Sequence, residues 1–207
     1  DSRYRLLETI RYYALDRLDD AGELVAARDA HAEFWAGWAQ TRNVHFDCSL
    51  TIVDAIPASL ANLTAAARWA CVSRPELLQA LMLCIGPFVQ LEDGEGSAEG
   101  LFESALVALE GRDDIAWAHV AMAAESARSF TWVVVVDEQL RVRAAALAVE
   151  HDLVLIRAHL AFMSAAITTK DPEGFAVASE LFDEAGSPTW GSFMRALGVR
   201  YLAATGR

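Results

Sequence analysis

A short phrase recurs along this chain at nearly constant spacing. Residues 118–121 read Ala-His-Val-Ala, and 40 residues later 158–161 read Ala-His-Leu-Ala. Ala80-Leu81 lies 38 residues before the first copy, and Ala196-Leu197 lies 38 residues after the second. Each copy sits midway along a segment with helical spacing, and each of the first three is followed by a second such segment. A period of roughly 36–40 residues built from two helices marks a helical repeat array. One such hairpin cannot bury its apolar face alone, so it requires its neighbours.

The helix boundaries are marked chemically. The repeat helices are predicted at 75–91, 97–109, 113–129, 132–150, 152–169, 172–185 and 188–205. Asp171-Pro172 and Ser187-Pro188 each put a capping residue before a proline at the first helical position. Asp113 and Asp152 are placed to cap the helices that follow them, and Gly111 and Gly186 fall at helix ends. Ser73-Arg74-Pro75-Glu76 fits a capping box that opens the first repeat. Trp132 to Val136 is β-branched and apolar as a strand would be, but helical spacing resumes from Gln139 to Val149, and the segment is read as a first helical turn.

Before the repeats, apolar residues at 6, 7, 10, 14, 15 and 18 form a helical stripe that Gly22 ends, with Tyr4 to Leu7 extended as the alternative. A second helix is predicted over about 23–42, carrying Phe34, Trp35 and Trp38, and residues 43–49 read as a loop. A short helix near 50–55 stops before Pro57. Residues 58–72 then form a helix with Leu60, Leu63, Ala66, Ala67 and Ala70 on one side. The expected fold is all-α: a right-handed stack of antiparallel helix pairs, a tetratricopeptide-like α-solenoid over 73–207, preceded by a helical linker region over 1–72.

Composition narrows the function. The apolar fraction of 54% exceeds the usual ~45–50% and argues for close helix packing rather than disorder. The net charge is −12 with no offsetting cluster of Lys or Arg, so nucleic-acid binding by this segment is not expected. The longest apolar run, Leu77 to Leu91, contains Gln79 and Pro87 and is shorter than the ~20 residues a bilayer requires. No signal peptide opens the chain, which starts at Asp1-Ser2 and reads as a piece of something longer. A cytoplasmic location with no membrane contact is expected. The three cysteines, Cys48, Cys71 and Cys84, are an odd set without close pairs and read as small buried residues.

Residues 3–11, Arg-Tyr-Arg-Leu-Leu-Glu-Thr-Ile-Arg, followed by Tyr13-Ala14-Leu15-Asp16-Arg17-Leu18, resemble the end of the winged-helix segment in STAND-type signalling ATPases. These are large regulators with an NB-ARC-like nucleotide-binding domain, many of which end in a LuxR-type DNA-binding domain. His31-Ala32-Glu33-Phe34-Trp35 is similar to the family's next helix. Asn62-Leu63 with Ala65-Ala66 and Arg68-Trp69-Ala70 is similar to a later one, and Ala98-Glu99-Gly100 with Phe102 to Leu106 to the hairpin after that. The resemblance covers about residues 3–109. It implies a non-enzymatic sensor or relay arm that binds a protein or small-molecule effector and acts on a neighbouring ATPase domain of the same chain. The alternative is a free-standing helical scaffold for protein–protein interaction.

No Gly-x-x-x-x-Gly-Lys-Ser/Thr and no basic recognition helix occur here, so neither a nucleotide site nor a DNA reader is expected. The run from Gly94 to Gly100 is glycine-rich, but its glutamates would repel phosphate, and it reads as a hairpin linker. Asp113-Asp114, Asp137-Glu138 and Asp183-Glu184 read as solvated charge, not acid–base pairs. No catalytic residue, metal or cofactor is assigned. The candidate partner-binding residues are His119 and His159, at equivalent repeat positions, with Trp117 and Trp190. For the histidines the choice lies between two similar packing niches and a pair facing a groove; for the tryptophans, between core and groove. Stacked first helices of repeats line such a groove, and at least one of the two histidines is expected to open onto it.

Overall fold

The computed structural model describes residues 8–42, 55–86, 88, 98–130, 138–169 and 171–205. Among these the chain is helical almost throughout and forms no strand. Ten α-helices follow one another: α1 (Glu8–Asp20), α2 (Leu24–Gln40), α3 (Leu60–Ser73), α4 (Leu78–Ile85), α5 (Ala98–Leu109), α6 (Asp114–Phe130), α7 (Glu138–Glu150), α8 (Val154–Met163), α9 (Pro172–Glu184) and α10 (Pro188–Thr205). Short 3-10 turns at Pro57–Ser59 and Pro75–Leu77 lead into α3 and α4, and a π-helical turn, Ser164–Thr169, extends α8. The expectations for Tyr4 to Leu7, for 43–49 and for Trp132 to Val136, together with Cys48, lie outside the described residues.

Local chemistry accounts for most of the boundaries. After α1, Gly22 adopts φ +70°, with its N–H donating to Asp19 and that of Glu23 to Leu18. After α9, Gly186 adopts φ +76°, with the same pair of bonds to Asp183 and Phe182. Both are Schellman closures, in which a left-handed residue lets two N–H groups reach back to the last carbonyls. Asp171 caps α9 by accepting from the Glu173 N–H at 3.1 Å, and Asp113 Oδ1 accepts from the Ala116 N–H at 2.9 Å at the head of α6.

Two predicted caps are not made. Asp152 does not cap α8: Leu153 holds that position without a side-chain bond. Instead Asp152 takes φ 52° and closes α7, its N–H donating to Val149 while that of Leu153 donates to Ala148 at 2.8 Å. It fills the role that glycine fills after α1 and α9. The capping box at Ser73–Glu76 is also absent. Ser73 still belongs to α3, Arg74 precedes the Pro75 turn without a side-chain cap, and Arg74 pairs with Glu76 and Glu33.

Helices pack on near neighbours in chain order. α2 lies against α3 and α4, α3 against α4 and α5, α4 against α6, and α5 against α6. α6 then meets α7 and α8, α7 meets α8, α8 meets α9, and α9 meets α10. One apolar core runs through these contacts, from Ala32 and Ala36 of α2 to Met194 of α10, and it continues without a break past residue 72. The five residues predicted on one side of α3 are all buried. The stripe of α1 is less faithful: Ile10 is exposed, as are Tyr12 and Tyr13, because α2 covers only part of that helix.

Small residues let the helices approach. A Cβ placed on Gly174 of α9 would lie 2.7 Å from the Cβ of Ala165 in the π-helical turn. One on Gly86, just after α4, would lie 3.2 Å from both Cβ and O of Ala123 in α6. This is the structural use of an Ala- and Gly-rich composition: backbones come together where larger side chains would hold them apart.

Candidate partner-binding site

The repetition of Ala-His-x-Ala puts His119 and His159 each five residues after the start of its helix, α6 and α8, and α6 packs against α8. Their surroundings differ. His159 is buried, its ring 4.9 Å from that of Phe182 in α9 and 5.7 Å from that of Trp190 in α10, both edge-on. Phe182 and Trp190 stack nearly parallel at 5.7 Å, and Phe193 meets Trp190 edge-on. His159 and Trp190 are thus brought together as members of one aromatic cluster that fastens α8, α9 and α10. Offset and edge-to-face aromatic pairs of this kind add about 0.5–1.5 kcal/mol each beyond area burial.

His119 is half-buried. Its Nδ1 lies 2.9 Å from the Ile115 carbonyl oxygen one turn earlier. A carbonyl only accepts, so Nδ1 carries the proton and donates. In the neutral ring Nε2 is then an acceptor. Burial holds the imidazole below its ordinary value of 6.5, against the opposing pull of the Ile115 carbonyl and of the Asp113 charge. His119 is neutral at pH 7 and offers one lone pair. Neighbouring Ile115 is exposed on the same side of α6.

Trp117 faces away from His119 and is buried. The Arg143 guanidinium of α7 lies 3.9 Å from its ring centroid and reaches Glu110 at 2.7 Å and Asp114 at 3.6 Å. Arg143 therefore clamps the end of α5 and the start of α6 to α7. Of the four predicted residues, His159, Trp117 and Trp190 sit in packed surroundings, and His119 alone keeps a partly open ring. The sequence reading overlooked Arg143 and Phe182. The signal for Arg143 was one of two cations, with Arg141, at the head of a mainly apolar helix; Phe182 was visible only as one more helical apolar residue.

At the other end, the segments 31–35 and 62–70 are brought together by the packing of α2 on α3. Asn62 hydrogen-bonds His31, whose pKa burial nonetheless lowers. Trp69 Nε1 donates to Asp29 at 2.8 Å while Arg28 lies over the Trp69 ring at 5.1 Å. On α2 itself, Phe34, Trp35 and Trp38 meet edge-on, with Arg42 over Trp38 at 4.3 Å. Phe34 is 63% exposed, so this aromatic ladder is only partly absorbed by the core.

Burial raises Cys71 to about 11 and Cys84 to about 12, so both thiols stay protonated and unreactive at neutral pH. Among the described residues no group of three or more His, Cys, Asp or Glu could hold a metal ion, and no helix is long and apolar enough to cross a membrane. Comparison of the chain with protein-family models, with curated proteins and with solved structures gives no match.

Proposed function

We propose that this chain is the helical sensor or relay arm of a STAND-type ATPase transcriptional regulator. It binds a protein or small-molecule effector and passes the event to a neighbouring ATPase domain of the same polypeptide, in the cytoplasm. The observation that carries the reading is that the described helices pack chiefly on near neighbours in chain order, as in a tetratricopeptide-like α-solenoid. In such a right-handed stack, α6 with α7 and α8 with α9 are successive helix pairs, and α4 and α10 extend the row of first helices on either side. The sides that these first helices turn away from the second helices make one continuous binding surface. The docking of 31–35 on 62–70, two of the segments that resemble the family, adds support at the N-terminal end.

The mechanism is a population shift: an effector that favours one arrangement of the helices biases the ATPase joined to them. His119 is the candidate contact, with Nε2 accepting from an N–H or O–H of the effector. The test is the reading frame of the parent gene, followed by the ATPase rate of its product with and without His119→Ala. A P-loop domain before this segment and a helix-turn-helix after it support the reading. Their absence would leave the free-standing scaffold.

A further inference from the structure

We draw no further inference here: the strongest candidate, the side of α6 along which Ile115, His119, Met122 and Ser126 follow one another at helical spacing, belongs to the site already described, and nothing among the described residues shows what occupies it.

Discussion

Asp152 holds a left-handed conformation that costs an L-residue about 1 kcal/mol or more, less for Asp than for most, and that glycine adopts freely. Asp152→Gly is therefore expected to raise the unfolding free energy by about 0.5–1 kcal/mol, read from the urea midpoint. Its 3.5 Å contact with Arg157 is exposed and contributes little against this. The sequence placed a capping Asp here but assigned it to the wrong helix. The sign of φ at 152 depends on where the last turn of α7 stops, and a lone Asp between two helices serves either side. Gly22 and Gly186 were legible because only one role suits a glycine there.

The two half-buried histidines bring a pH dependence. Burial lowers the folded pKa of both His31 and His119, so below 6.5 the unfolded chain takes up protons that the folded chain resists. Stability is then full above about pH 6.5 and falls as pH drops through that value toward the lower folded pKa. Melting temperature should decline between pH 7.5 and 5.5, and the double replacement His31→Gln/His119→Gln should flatten that decline. An unchanged slope would mean that neither ring resists protonation. Glu76 and Glu110, held low by Arg74 and Arg143, add losses only below their ordinary value of 4.5, outside this window.

At the scale of elements, contact between the π-helical turn and α9 depends on the missing side chain of Gly174. Gly174→Ala drives its Cβ into that of Ala165, and both atoms are fixed to backbone. A loss of about 1–3 kcal/mol is expected from such overpacking. Ala165→Gly in the same chain should recover part of it, a coupling that a double-mutant cycle measures. Helix existence was legible throughout the described residues, because periodicity and caps are local. Which side of a helix is covered was not. The Ile10 stripe of α1 is helical as predicted, yet Ile10 is exposed, since coverage is decided by how a neighbouring helix, here α2, lies across it. The histidines make the same point. Phe182 and Trp190 enclose His159, but the residues 40 earlier, Val142 and Glu150, are exposed and give His119 no such enclosure. A repeated phrase carries over the backbone position and not its surroundings.

For the whole molecule, packing between near neighbours sets how stability is distributed. α2, α3 and α4 share contacts among themselves, as do α8, α9 and α10, and the two groups are joined chiefly through α6. Native-state hydrogen exchange should resolve at least two opening free energies, one for each group. A single value shared by every slow amide would show one indivisible unit instead. Such local connectivity also favours rapid folding, because little loop closure precedes the first native contacts.

The same chain-order packing has a mechanical consequence. In a sandwich or barrel, strands distant in sequence are sheared apart together, and the molecule resists until it breaks at one high force. Here a pull on the two ends loads each helix mainly against the next. The chain should yield a helix or two at a time, over a low and nearly level force, and re-form in reverse order as tension is released. Stretched in this way, it behaves less like a latch than like a soft spring.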